Sequence, residues 1–585
     1  MRRFIVGFLA VIGALFFIVI LAGVGVAVWS RTRGPTIADN TVLSIDMDGG
    51  FPDTAPSSAL SKLIRPGRPL LRDVLDALDK ASDDPRVTGL IARFGDGEIG
   101  LAQAQELRAA IHRFRAKGKR AVAYADSFGE FSPGTRGYYL ASAFDDIWVQ
   151  PLGLVGLVGL HAEEPFFRGT LDLLGIEPQF DEREQYKSAV DPLTRKTMSG
   201  PDREQITALL NSVYAQIVQG IASDRKLDEA AVRALVDRGP LLAQEALDAH
   251  LITHVGYSDD AMASLGLRPA GEKRPVPLMR YLSAVGRPHE SGPKIALIYA
   301  NGLITRGGGG DDGAIFGTGG AGADAIVRAF RLAERDHDVR AILFRIDSPG
   351  GSAVASESIW RETVRAKELG KKLVVSMGDV AGSGGYYIAA AADKIVADPA
   401  TLTGSIGVLA GKFVVSGLLA KIGAATSSVD AGTNAGMFSS FQDFSPPEYQ
   451  RFEAFLDDVY AGFKDRVAQG RKMDAAAVEA VAQGRIWSGE DAKAKGLVDA
   501  LGGYDTAIAL AKEEAGIPAT SDVTIKIFPP PESPVRALVD LVTGRQPGGE
   551  QATLGRMLAA LSPLLMRLEW MSVPGALTMA PIEVR

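Results

Sequence analysis

The sequence predicts an α/β protein made of two tandem βαβ domains behind an apolar amino-terminal segment. Three observations lead there. The chain repeats itself, since Gly137 to Val149 (GYYLASAFDDIWV) aligns with Gly385 to Ala397 (GYYIAAAADKIVA) at an offset of 248 residues. Within each copy, short apolar runs of strand length alternate with amphipathic stretches of helix length, the pattern of a largely parallel sheet. Ahead of both copies, Phe4 to Trp29 is a run of 26 residues without a charge.

That run is long enough, at about 1.5 Å per residue, to cross a hydrocarbon core of about 30 Å. It exceeds the apolar region of a cleavable signal peptide, so residues 1–33 read as an uncleaved anchor. Arg2 and Arg3 oppose Arg31 and Arg33, a thin bias that keeps the amino terminus cytoplasmic and puts the body outside the cytoplasm. The first repeat, 34–280, has strands near Val42–Met47, Gly89–Phe94 and Arg120–Tyr124 and a closing helix near Glu204–Ser223. The stretch Gly266–Pro293, rich in Pro, Gly and charge, reads as the boundary. The second repeat, 290–520, begins with strand Lys294–Ala300, helix Ala323–Glu334, strand Val339–Ile346 and helix Glu357–Leu369. Strand Leu373–Met377, helix Tyr386–Ala392, strand Lys394–Val396 and helix Pro447–Gly470 follow. The Gly-rich segment Arg306–Gly322 lacks the Lys-Ser/Thr of a phosphate cradle and reads as a loop over the substrate groove. Residues 521–585 form an extension of unknown role. In it, Leu558, Leu561, Leu565 and Leu568 give Leu554–Trp570 an amphipathic face suited to a partner subunit.

Composition narrows the function. A net charge of −7 with both signs interspersed leaves no basic stripe for nucleic acid. The absence of cysteine excludes disulfides, thiol catalysis and cysteine-held metals. Nothing in the sequence calls for a cofactor or a metal; His250 and His254 have ligand-like spacing but no third ligand.

Chemistry-bearing residues gather in two segments of the second repeat, Asp347–Ser352 and Gly378–Tyr386. Both follow predicted strands, and open α/β sheets place their sites at the carboxyl ends of strands. Ser383 stands among glycines at a helix start, where free N–H groups favour a developing oxyanion. The N–H groups of Gly384 and Gly351 are the candidate oxyanion hole. The same residues would also make a Gly-rich turn with Ser383 as a helix cap. A serine nucleophile needs a base, and none of the six histidines sits in a setting that suggests a triad. A lysine serves instead if burial keeps it neutral. The repeat points to Lys187: at the fixed offset Ser383 faces Thr135, and Lys187 faces Ala435. A serine without its lysine and a lysine without its serine suggest one site shared by two copies.

Four motifs, in this order along the chain, carry a family resemblance: Tyr186-Lys-Ser-Ala, Asp347-Ser-Pro-Gly-Gly-Ser, Ala381-Gly-Ser-Gly-Gly-Tyr-Tyr and Thr401-Leu-Thr-Gly-Ser-Ile-Gly. Together they resemble signal peptide peptidase A in its long form, a family of membrane-anchored, tandem-domain Ser/Lys proteases with a fold similar to Clp protease and crotonase. The resemblance spans about residues 1 to 520. It implies that Ser383 is the nucleophile, Lys187 the general base and Ser405 a serine that orients the lysine. It further implies degradation of signal peptides and other short hydrophobic peptides, an extracytoplasmic body on a bacterial inner membrane, and a homotetramer. Two other readings stand beside it: a crotonase-fold enzyme acting on acyl-thioesters, and a catalytically silent membrane scaffold.

Overall fold

The computed structural model describes residues 37–54, 68–130, 132–267, 274–308, 320–530 and 577–579. The expected membrane segment, the centre of the Gly-rich loop and the expected helix Leu554–Trp570 lie outside them.

Two tandem α/β units carry the same sheet. In the first, the order is His254–Val255, Asp146–Val149, Arg120–Ala125, Val87–Phe94, Thr41–Asp46, Val276–Pro277, with every neighbouring pair parallel. In the second, the corresponding path is Ala500–Leu501, Lys394–Ala397, Lys372–Gly382, Val339–Ser348, Lys294–Asn301, Thr524–Ile527, again all parallel. Central strands buried on both faces read as continuous apolar runs. Ala341 to Ile346 is buried throughout, Arg345 included. Helices Leu71–Asp83 and Leu101–Ala116 flank the second strand of the first unit, as Ala323–Arg335 and Ala353–Glu368 do in the other.

Two stretches differ from the sequence reading. The expected boundary Gly266–Pro293 contains strand Val276–Pro277, on the edge of the first sheet, and helix Leu278–Val285. Leu278, Tyr281 and Leu282, spaced i, i+3, i+4, bury one face of that helix, and the Tyr281 hydroxyl donates to Asp84 Oδ2 at 2.9 Å. The two expected loops are largely strand. Lys372–Gly382 keeps its ladder to the last residue because Leu402–Gly404 pairs with Val380, Ala381 and Gly382. Gly350–Ser352 forms a strand of its own.

The units are locked in two ways. Glu177–Arg183 of the first pairs antiparallel with Val408–Val414 of the second, Arg183 opposite Val408. Deeper in, the fully buried Arg345 guanidinium donates to Asp53 Oδ2 at 3.1 Å and to Glu106 Oε1 at 2.7 Å, both from the first unit. Its remaining donors reach Ser376 Oγ and the Met377 carbonyl. The Tyr504 hydroxyl donates to the other Asp53 oxygen at 2.9 Å, and its ring lies under the guanidinium. A buried cation survives only when its donors are met in this way. Asp379, four residues before Ser383, accepts from the backbone N–H of Gln103 at the start of helix Leu101–Ala116.

Candidate active site

Ser383 sits where strand Lys372–Gly382 turns directly into helix Gly384–Ala389. Its φ of 54° and ψ of −116° are unusual for a residue with a side chain, and such conformations cost about 1–3 kcal/mol unless their surroundings enforce them. Here they do. The Ser383 N–H donates to the Gly404 carbonyl at 2.8 Å, and the Ser383 carbonyl accepts from Tyr387 N–H at 2.8 Å. Alongside, Gly351 has φ +148°, and a Cβ there would lie 2.1 Å from the Ile304 carbonyl oxygen. No other residue type brings that backbone so close.

Lys187 enters from the other unit, four residues past the end of the cross-unit strand Glu177–Arg183. It is fully buried, with Nζ 2.6 Å from Ser383 Oγ, 2.9 Å from Ser405 Oγ and 2.9 Å from the Ser405 carbonyl oxygen. A neutral amine has two N–H donors and one lone pair. Two acceptors on Ser405 account for the donors, which leaves the lone pair toward the Ser383 hydroxyl. Burial drives the Lys187 pKa well below the ordinary lysine value, and only the charge of Glu182 opposes that. Glu182, on the same cross-unit strand, is itself pushed up to about 8, first by burial and then by Asp191.

Several residues that hold the lysine escaped the sequence reading. Gly484, at φ +77°, lies under its backbone, and a Cβ there would be 2.6 Å from Lys187 N. Gly407 gives room to the stem, since its Cβ would meet Lys187 Cδ at 3.1 Å. Gln205 donates to the Tyr186 carbonyl, to Ser188 Oγ and to Asp202 Oδ1, and its carbonyl oxygen accepts from Ile486 N–H. Gln205 therefore ties the lysine segment to both units. Its only sequence signal was the helix start Ser199-Gly-Pro-Asp202, where Ser199 Oγ accepts from Asp202 N–H.

The duplicated positions have other tasks. Thr135, opposite Ser383 in the repeat, is buried; its hydroxyl donates to the Gly159 carbonyl and accepts from Val158 N–H. Ala435, opposite Lys187, is exposed in an irregular stretch. The histidines lie elsewhere: His112 meets Asp224, His254 stacks on Trp148, His289 faces Asp522, and His250 occupies a turn at φ 59°. Among the described residues, no cluster of carboxylates and histidines could hold a metal ion.

A strained serine hydroxyl against a buried lysine, on a duplicated α/β scaffold, defines a serine hydrolase with a lysine in place of histidine. The profile of Peptidase family S49 matches twice, over residues 113–268 and 365–518, one match holding Lys187 and the other Ser383 and Ser405. The chain is 32% identical over 525 residues to a protein named serine protease SPPA, chloroplastic, from Arabidopsis thaliana, covering 88% of this chain and 74% of that one. It is 32% identical over 529 residues to Protease 4 of Salmonella typhi, covering 86% of this chain and 83% of that one. With Protease 4 of Haemophilus influenzae it shares 31% identity over 457 residues, covering 75% of this chain and 72% of the relative. The chain belongs to peptidase family S49, as a tandem-domain serine protease of the signal peptide peptidase A type that hydrolyses peptide bonds in short peptides.

Proposed function

We propose that Ser383 is the nucleophile and Lys187 its general base, in an enzyme that degrades short hydrophobic peptides, cleaved signal peptides among them. The observation that carries this reading is the 2.6 Å approach of Lys187 Nζ to Ser383 Oγ in a fully buried setting. In the first step Ser383 Oγ bonds to the scissile carbonyl carbon, and its proton passes to the Lys187 lone pair. The N–H groups of Gly384 and Gly351 stabilise the oxyanion. Collapse breaks the C–N bond, and Lys187 returns the proton to the leaving amine. Water then attacks the acyl-enzyme, with Lys187 again taking and returning a proton. Ser405 orients the amine and has no covalent part.

The uncharged run Phe4–Trp29 supports a single-pass anchor, with the body on the extracytoplasmic face of a bacterial inner membrane. There the site meets apolar peptides leaving the bilayer. We take 34–280 and 290–520 as the two repeats of a Clp protease and crotonase-like fold, assembled as a homotetramer. Incubation of the detergent-solubilised protein with a fluorophosphonate tests the reading. Label is expected on Ser383, absent in Ser383→Ala and strongly slowed in Lys187→Ala. Label at another residue, or full hydrolysis by Ser383→Ala, overturns it.

A further inference from the structure

One strand of the sheet that bridges the units comes from outside both repeats. Leu577–Met579 runs antiparallel to Gly350–Ser352, with Leu577 opposite Ser352, Thr578 opposite Gly351 and Met579 opposite Gly350. On its other side Leu577 pairs with Leu409. Among the described residues, Gly350–Ser352 and Val408–Val414 neighbour each other in this sheet only through that strand. Both flanking strands belong to the candidate site. Gly351 is the proposed oxyanion donor, and Val408 lies three residues beyond Ser405.

Two strand edges that face each other across a one-strand gap make a slot that any extended peptide can complete through main-chain hydrogen bonds. The segment that fills it has the chemistry expected of a substrate. Residues 575–580 read Gly-Ala-Leu-Thr-Met-Ala, uncharged and mostly small or apolar. Pro574 and Pro581 bracket it, and proline cannot donate to a ladder, so only a short strand can form. A three-residue strand is a weak ladder by itself. What it has in compensation is attachment to the same chain, which gives it a high local concentration at the slot.

We infer that Leu577–Met579 is a tethered occupant of the peptide-binding slot, seated as a substrate strand is seated and displaced when a peptide enters. The inference rests on the reading of Ser383, Lys187 and Gly351 as the active site. It adds that the chain supplies its own competitor.

Binding can be measured without turnover in the full chain carrying Ser383→Ala, with and without Thr578→Pro. The proline removes a backbone donor from the middle of the strand. The probe is a fluorescein-labelled, uncharged eight-residue peptide of Leu, Val and Ala, followed by anisotropy. If the strand occupies the slot about nine-tenths of the time, Thr578→Pro tightens the apparent Kd about tenfold. A synthetic peptide spanning Gly575–Ile582 should displace the probe from the double variant. Equal Kd values in the two proteins, or failure of that peptide to displace the probe, overturn the inference and identify the strand as a fixed part of the sheet. Hydrolysis that persists in Ser383→Ala would instead remove the nucleophile assignment, and the anisotropy comparison would still stand.

Discussion

Lys187 and Ser383 are 196 residues apart in the chain, yet Nζ and Oγ meet at 2.6 Å. The contact exists because Glu177–Arg183 crosses from one unit to pair with Val408–Val414 of the other. The pairing fixes the lysine segment at the turn that carries Ser405 and beside the strained turn of Ser383. Neither unit alone contains both groups, so docking of the units is part of building the site.

The burial of Lys187 has two pH signatures. Its folded pKa is depressed by desolvation, so activity should rise with pH through that depressed value, well below the ordinary lysine value of about 10.4. Stability follows the same linkage. Between the folded and unfolded pKa values the unfolded chain holds one more proton, so stability climbs with pH across that window. Lys187→Met should therefore be inactive yet more stable than the parent at neutral pH, with the gain shrinking as pH approaches about 10. Urea unfolding at two pH values checks the sign.

Glu182 offers a finer test of the same group. Its negative charge raises the Lys187 pKa, so Glu182→Gln should move the acid limb of the pH–activity profile to lower pH. Because Glu182 itself titrates near 8, it is mostly neutral at lower pH, and the displacement should be under about one unit. A pH–kcat/KM profile of the purified variant measures it; movement to higher pH would contradict the electrostatic account.

The parts of this protein that were legible in sequence are those that periodicity and repetition encode. The parallel strand order of both sheets follows from buried apolar runs such as Ala341–Ile346, and the 248-residue offset singled out Ser383 and Lys187. What escaped is what one unit contributes to the other. Glu177–Arg183 reads EPQFDER, with no two-residue alternation, because only Pro178 in it is buried. Arg345 sits inside a core strand and looked like a solvated interruption, since its partners Asp53 and Glu106 lie more than 200 residues away. Gly484 carries no motif at all, and its importance lies in the space beneath Lys187.

Ser405 should matter through orientation. Removing its hydroxyl leaves the carbonyl contact to Lys187 but loses one acceptor, so Ser405→Ala should lower kcat about 10- to 100-fold with little change in KM. Ser405 has φ 52°, and Ser405→Gly separates chemistry from backbone strain. Glycine relieves the strain without restoring the acceptor and should be equally impaired. Recovery in the glycine variant would assign the effect to the backbone.

Arg345 should be the most costly single side chain at the join between units. Arg345→Met would leave Asp53 and Glu106 buried without their cation, a change worth about 3–5 kcal/mol when a buried pair is broken from one side. Denaturant unfolding reads the loss. The accompanying fall in activity should track the unfolded fraction, because Arg345 does not touch Lys187 or Ser383 in this structure.

Gly484→Ala tests whether the lysine segment must lie where it does. The residue has φ +77°, and a Cβ would stand 2.6 Å from Lys187 N and 2.7 Å from Lys187 Cβ. Both atoms are anchored, since Tyr186 N–H donates to the Gln483 carbonyl and Gly484 N–H to that of Ile406. The clash can be relieved only by moving the Lys187 segment, and a shift of about 1 Å in a catalytic group costs about 100-fold in rate. A left-handed alanine also costs about 1–2 kcal/mol wherever it occurs. Gly423 supplies the control: its φ is the same +77°, with nothing within 4 Å of the place its Cβ would take. Gly423→Ala should lose similar stability by thermal unfolding and keep its kcat, whereas Gly484→Ala should lose about 100-fold in kcat at a temperature where both are folded. Equal activity in the two variants would mean that Lys187 tolerates displacement, which a proton transfer across 2.6 Å does not allow.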